Sequence, residues 1–183
     1  MSSSDASSPE KLLHRARAGD PRALGEIHEQ YYARIFRYAL FRLGDEAAAE
    51  DIASEVFVRL LDALRSNRAP HTTLGGWLFG VAAHLVVDHF RRAPREQSPL
   101  WEGLMTTDSA AHEAEERLQH SQVRAAMRRL TPDQQEVLAL RFGEGFSLDE
   151  TARVMGKSVN AVKVLQFRAT AALRRVLGET DHD

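Results

Sequence analysis

The sequence predicts an all-α protein built from two small helical domains that an acidic, flexible linker joins. Apolar residues recur at helical spacing along most of the 183 residues, no segment shows sustained alternation with period two, and capping residues precede several apolar runs. The charge also changes along the chain. Residues 1–95 carry a net charge of +1, residues 96–121 of −5 and residues 122–178 of +5, and an acidic tail at residues 179–183 follows. This asymmetry indicates two modules and a linker.

The composition excludes several classes of protein. The chain is 43% hydrophobic and 27% charged, which is ordinary for a globular protein. It contains no cysteine, so disulfide frameworks, thiolate zinc sites and a cysteine nucleophile are excluded. The N-terminus lacks the basic and apolar regions of a signal peptide, and no apolar run approaches the ~18 residues that span a bilayer. We therefore expect a cytoplasmic protein without membrane insertion.

The N-terminal domain is predicted at residues 9–95, after a disordered tail at residues 1–8. A short helix over residues 9–18 is followed by Asp20, which caps a second helix that opens with proline. Apolar residues at helical spacing continue this second helix until Gly44 and the following aspartate break it.

The third predicted helix has the most regular pattern in the chain, because apolar residues follow the i, i+3, i+4, i+7 spacing over residues 49–64. Its opposite face is polar and carries Glu50, Asp51, Ser54, Glu55 and Arg59. A loop of turn-forming residues, 65–76, follows. Trp77, which we assign to the core, then opens a fourth helix that ends at Arg92, where basic residues suit the helix dipole.

The C-terminal domain, residues 122–178, contains a helix-turn-helix pattern. Thr131 caps a helix that two glycines end at residues 143 and 145, and Ser147 with Glu150 forms a capping box for the next, short helix. Gly156 supplies a turn, and Ser158 caps a long final helix. We expect the short helix to pack against its neighbours through Leu138, Phe142, Leu148, Ala152, Met155, Val159 and Val162.

The final helix has a basic outer face. Five basic residues and no acidic residue lie between positions 157 and 175, so attraction to phosphate is expected. The alternative is an αα-hairpin in a plain bundle, in which these charges only solvate the surface.

Two segments resemble a known family. The run LTPDQQEVLALRFGEGFSLDETARVMGKSVNAVKVLQFRATAALRR resembles region four of bacterial sigma factors. The runs AAAEDIASEVFVRLL and GWLFGVAAHLVVDHFRR resemble two helices of region two. With only these two regions, the chain resembles an extracytoplasmic-function (ECF) sigma factor of the sigma-70 family over residues 10–178.

The resemblance implies a partner for the third helix. Its acidic face would dock on the clamp coiled coil of the largest subunit of core RNA polymerase, and region four would meet the flap. An acidic helix face can pair with a basic coiled coil, whereas the alternative is a merely solvated face. The docking residues that the resemblance assigns are Glu50, Asp51, Glu55, Val56 and Phe57.

The resemblance also implies two promoter-reading surfaces. Melting takes bases out of the stack, so a pocket with nearby cations is required. For the −10 region the resemblance assigns Asn67, Arg68, His71, Thr72, Thr73, His84, Asp88, Arg91 and Arg92. For the −35 region it assigns Ser158, Asn160, Lys163, Val164, Phe167 and Arg168. Two positions depart from the family pattern, because His84 stands where asparagine is common and Lys157 replaces a usually apolar turn residue.

The resemblance implies an alternative sigma factor, not an enzyme, that binds core polymerase and promoter DNA and is held inactive by an anti-sigma factor. The competing interpretation is a stand-alone dimeric helix-turn-helix regulator, and a third is a metal- or ligand-binding bundle. We expect no metal and no cofactor, although His112, Glu116 and His120 lie four residues apart and would form a stripe on one face of a helix. No catalytic motif is present in the sequence.

Overall fold

The computed structural model of the chain describes residues 8–66, 68, 73–92 and 125–180, with the side chains of 179 and 180 excepted. Every element in these residues is helical, as predicted. The elements are α1 (Pro9–Arg17), α2 (Pro21–Leu43), α3 (Glu46–Arg65), α4 (Leu74–Arg92), α5 (Pro132–Leu138), a π-helical turn (Ala139–Gly143), α6 (Leu148–Met155) and α7 (Val159–Thr180). Residues 125–128 form one further helical turn. Most of the predicted N-terminal tail and the predicted linker lie outside the described residues, whereas the first two residues of the predicted acidic tail belong to α7.

The chain divides into two compact units, with the division near residue 100. In the first unit α2 packs against α1, α3 and α4, and α4 also contacts α1 and α3. In the second unit α5 packs against α7. The predicted domain boundaries at residues 95 and 122 stay predictions, because both residues lie outside the part of the chain that the structure describes.

Local capping sets both ends of α2 where the sequence predicts them. The Asp20 carboxylate accepts a hydrogen bond from the Arg22 amide at 2.9 Å and begins α2. Gly44 ends α2 with a φ of 71°, and its amide donates to the Leu40 carbonyl at 2.8 Å. Only glycine adopts this left-handed backbone without strain, which explains the sharp stop.

An ion-pair cluster ties α1 to α2. The Arg15 guanidinium donates to the Asp20 carboxylate at 2.8 Å and to the Glu26 carboxylate at 2.9 Å. The hydrogen bond from Arg15, followed by that from the Arg22 amide, lowers the pKa of Asp20 below its ordinary value. The hydrogen bond to Glu26 makes the largest contribution to raising the pKa of Arg15.

The core of the first unit forms where α2, α3 and α4 meet. Phe79 on α4 is fully buried, and its ring meets the Tyr38 ring edge-to-face at 5.5 Å. The Arg34 guanidinium lies 5.6 Å from the centre of the Phe79 ring and 5.3 Å from that of Tyr31. Other large, fully buried side chains of this unit are Leu12, Ile27, Ile35, Val56, Leu60, Leu74, Leu78 and Val86.

The start of α4 corrects one prediction. The helix begins at Leu74, three residues before Trp77, because Thr73 provides the cap. The Thr73 hydroxyl accepts from the Gly76 amide at 3.3 Å, and its carbonyl accepts from the Trp77 amide at 3.0 Å. Leu74 takes the buried position at the first turn, and Trp77 is half-buried rather than a core residue.

The second unit has the predicted caps. Thr131 and Gln134 form a capping box at the start of α5, and Ser147 and Glu150 form another at α6, with bonds of 2.8 and 3.2 Å. Gly156 turns the chain with a φ of 61°. The Ser158 hydroxyl then accepts from the Ala161 amide at 3.2 Å and caps α7. A short helix, a turn and a long helix therefore follow one another as the sequence predicts.

The π-helical turn corrects the predicted packing of Phe142. We expected this ring to pack in the core, but it is 65% exposed. A π-helical turn holds more residues than an α-helical one, so Phe142 rotates away from the face that Leu138 occupies. Arg141 holds the turn in place, since its guanidinium donates to the Gln166 side chain at 2.9 Å and to the Phe146 carbonyl.

Candidate protein and nucleic-acid interfaces

The outer face of α3 carries exposed carboxylates. Glu50 and Asp51 are exposed, and Glu55 is half-buried. The Arg59 guanidinium donates to the Glu55 carboxylate at 2.9 Å, one turn further along the helix. Because this pair partly neutralises itself, the negative potential of the face is strongest at its N-terminal half.

Two of the predicted docking residues, Val56 and Phe57, are less exposed to solvent than Glu50 and Asp51. Val56 is 0% exposed and lies in the buried stripe of α3, so it offers no surface to a partner and its assignment as a docking residue is wrong. Phe57 is half-buried and points to the α2 side. Its ring lies 4.8 Å from the His28 ring and 6.1 Å from the Tyr32 ring, between centroids. We call His28, Tyr32 and Phe57 the aromatic cluster.

A groove of about 500 Å³ runs between α3 and α4. Predicted docking residues line one side, and the predicted DNA-reading residues Asp88 and Arg92 line the other. The other members had no predicted functional role, and the packing of the two helices brings them together. The full lining is Ala48, Asp51, Ile52, Glu55, Arg59, Leu85, Asp88, His89 and Arg92.

The outer face of α4 presents His84 and the two terminal arginines. His84 is exposed, and its Nδ1 lies 2.7 Å from the Gly80 carbonyl oxygen. Since a carbonyl only accepts, Nδ1 carries the proton in this contact. Arg91 and Arg92 are exposed, and Arg91 lies 3.6 Å from the Asp88 carboxylate. The face therefore offers two cations at the helix end.

The loop before α4 is described only in part. Asn67, His71 and Thr72 lie outside the described residues, so their predicted place in a base pocket stays a prediction. Arg68 is exposed, and its amide donates to the Ala63 carbonyl at 2.9 Å. Thr73 is half-buried, and its hydroxyl is engaged in capping α4.

The predicted −35 residues share one face of α7. All six are exposed, and the apolar members Val164 and Phe167 are open to solvent, with Phe167 76% exposed. Val162 and Ala169 are buried, which anchors α7 through its opposite face. The exposed set is Ser158, Asn160, Lys163, Val164, Phe167 and Arg168.

An ion pair that the sequence did not predict lies beside this face. The Lys157 ammonium lies 2.9 Å from the carboxylate of Asp133, in the first turn of α5. Lys157 immediately precedes the cap of α7. The two partners are 24 positions apart, so no local pattern could have identified the pair. It places a negative charge next to the start of the basic helix.

Within the parts of the chain that the structure describes, no group of three or more histidine and carboxylate side chains could hold a metal ion. The stripe of His112, Glu116 and His120 lies outside those parts. None of the described helices is long and apolar enough to cross a membrane.

Comparison with known proteins gives matches over both units. The family model "Sigma-70 region 2" matches residues 27–96, and "Sigma-70, region 4" matches residues 126–175. The ECF RNA polymerase sigma factor BldN of Streptomyces coelicolor is 37% identical over 178 residues, which cover 95% of this chain and 67% of BldN. SigX of Bacillus subtilis, also an ECF sigma factor, is 28% identical over 159 residues, 81% of this chain and 80% of SigX.

A solved structure shares the fold. CnrH, solved in complex with the cytosolic domain of CnrY, superposes with a TM-score of 0.73 at 24% identity. The match covers 93% of this chain and 97% of that one.

Proposed function

The chain belongs to the ECF sigma factors of the sigma-70 family, and from this premise we propose which of its surfaces carry out the steps of transcription initiation. As an alternative sigma factor, it binds core RNA polymerase and directs it to particular promoters. The residues that make these contacts, the location of the protein and its regulation are the subject of the proposal.

We assign polymerase docking to the outer face of α3. The exposed Glu50 and Asp51, with the half-buried Glu55, form an acidic surface that complements a basic coiled coil. This exposed acidity is the single observation that carries the assignment. The Glu55–Arg59 pair is exposed enough to open at little cost, since such surface pairs are worth about 0–1 kcal/mol.

Promoter reading is assigned to α4 with its preceding loop and to α7. The exposed cations of both helices can contact phosphate or base edges, and the exposed Val164 and Phe167 can contact a thymine methyl group. Two DNA-binding surfaces on one chain increase the affinity for the promoter only when the spacing of the two promoter elements allows both surfaces to bind at once. The overall net charge of −2 fits a protein that needs the polymerase for tight DNA binding.

We further propose control by an anti-sigma factor that covers these surfaces. The family resemblance suggests this partner, and exposed apolar side chains on α3 and α4, Val58, Val87 and Phe90, offer it apolar contact area. The protein would act in the cytoplasm, where polymerase and promoters are. We assign it no catalytic activity and no cofactor, so binding energy alone would open the DNA strands.

The test is a pull-down and run-off transcription with bacterial core polymerase. The variant is Asp51→Arg with Glu55→Arg, and a matched control carries the same change of charge at two other exposed acids, Glu10→Arg with Asp149→Arg. We expect wild type and control to form a holoenzyme that initiates specifically, and the α3 variant to lose core binding while its circular dichroism stays unchanged.

Two results would contradict the proposal. Equal core binding by all three proteins would remove α3 as the docking face. If no protein binds core, yet wild type shifts duplex DNA as a dimer, the chain acts as a stand-alone helix-turn-helix regulator instead.

A further inference from the structure

The aromatic cluster lies at the edge of the proposed docking face, on the side of α2. The rings of His28 and Tyr32 stack at 4.8 Å with an angle of 27° between their planes, and Phe57 from α3 closes the group at 4.8 Å from His28. His28 is exposed, and the other two are half-buried. Three aromatic rings from two helices therefore share a surface that the core does not use.

Carboxylates flank the cluster. Glu29 is exposed and precedes Tyr32 by three residues, so the two are neighbours on the surface of α2. Glu50 is exposed and precedes Phe57 by seven residues, which places both on one face of α3, two turns apart. Aromatic faces bordered by carboxylates attract cations, because the face of a ring has a negative electrostatic potential and a carboxylate carries a negative charge.

We propose that the aromatic cluster binds a cationic side chain, arginine or lysine, of the core polymerase. It thereby extends the docking surface from α3 onto α2. This inference rests on the proposed docking function of α3, because its occupant is a cation on the same basic coiled coil. The complementary charge of the flanking Glu29 and Glu50 selects a cationic side chain over an apolar one.

The same chain already uses this kind of contact internally. The Arg34 guanidinium lies 5.3 Å from the Tyr31 ring centre, within the roughly 6 Å over which such attraction is significant. For the aromatic cluster the cation comes from outside. Binding would also remove the cluster from water, which strengthens the attraction.

Fluorination of Phe57 tests the proposal, because fluorine withdraws electrons from the ring face while the side chain keeps nearly the same size and apolar character. Phe57 is replaced in the full-length chain by 4-fluoro-, 3,5-difluoro- and 3,4,5-trifluorophenylalanine, and the Kd for core polymerase is measured. We expect Kd to rise stepwise with each fluorine, by roughly 2- to 30-fold in total. Phe57→Leu should weaken binding to a similar extent, whereas Phe57→Tyr should retain it.

The matched control is the same fluorinated series at Phe90, an exposed phenylalanine on α4, for which we expect no change in core binding. Thermal unfolding of every variant shows whether the fold is retained. An unchanged Kd across the Phe57 series overturns the proposal, even if the Asp51/Glu55 variant loses binding. In contrast, a wild-type protein that fails to bind core overturns the docking function itself.

Discussion

The burial of two phenylalanines on one helix predicts very different energetic roles. Phe79 and Phe90 both lie on α4, eleven residues apart, but Phe79 is 0% exposed and Phe90 is 51% exposed. We expect Phe79→Ala to destabilise the first unit strongly and Phe90→Ala to leave it nearly unchanged. The comparison holds residue type and helix constant, so only the surroundings differ.

The magnitude follows from what the Phe79 ring contacts. Truncation of a fully buried phenylalanine costs about 3–5 kcal/mol, through lost burial and the cavity that remains. The edge-to-face contact with Tyr38 accounts for about 0.5–1.5 kcal/mol of this loss. Phe90→Ala removes a ring that is half in water and introduces a better helix former, so we expect a change within about 0.5 kcal/mol.

Urea unfolding monitored by the fluorescence of Trp77 measures both effects. Trp77 lies on the same helix, two residues before Phe79, and a Trp101→Phe background leaves it as the only tryptophan. If Phe79→Ala proves too unstable to study, Phe79→Leu gives a milder destabilisation, because leucine keeps part of the buried apolar volume. Equal destabilisation by the two alanine variants would refute the assignment of Phe79 to the core of the first unit.

Three further predictions concern charges and caps. Asp133→Asn releases Lys157 for a phosphate, so binding to duplex DNA should tighten about 1.5- to 5-fold. The slope of log K against log salt concentration should steepen by roughly one, and Lys157→Ala in the same background should cancel both effects. An unchanged slope in filter binding would contradict this prediction. The pairing with Arg15 lowers the pKa of Asp20 in the folded state below its unfolded value of 3.8. The pair therefore stabilises the fold fully above pH 3.8, and this stabilisation is lost as the pH falls through the pKa of the folded state. Arg15→Met should therefore flatten stability against pH in that acidic window, as urea unfolding at several pH values can show. Ser158→Ala should cost about 1 kcal/mol through the lost cap of α7, and thermal unfolding that matches wild type would contradict this.

Local chemistry explains why so many helix ends could be predicted. Asp20, Thr131 and Ser158 each accept a hydrogen bond from an amide two or three residues ahead, so the contact needs only a short stretch of chain. Gly44 and Gly156 have positive φ values, which other residues adopt only with strain. Such signals are readable in a single sequence.

The errors at Phe142 and Val56 have a different origin. The α-helical spacing placed Phe142 in the core, but a π-helical turn changes the rotation per residue at this point, and Arg141 stabilises that turn through Gln166, 25 positions away. Val56 was assigned both to the apolar stripe and to a docking surface, and only the packing of α3 decided between the two. In each case the deciding contact is distant in sequence.

The sequence by itself determined the helical class, most helix ends, the basic outer face of α7 and the family resemblance, because periodicity, caps and charge are local properties. The tertiary structure decided which side chains meet across helices. It assembled the aromatic cluster from α2 and α3, the groove from α3 and α4, and the Lys157–Asp133 pair beside α7. These sites depend on how helices pack, and packing is set by contacts between residues that lie far apart along the chain.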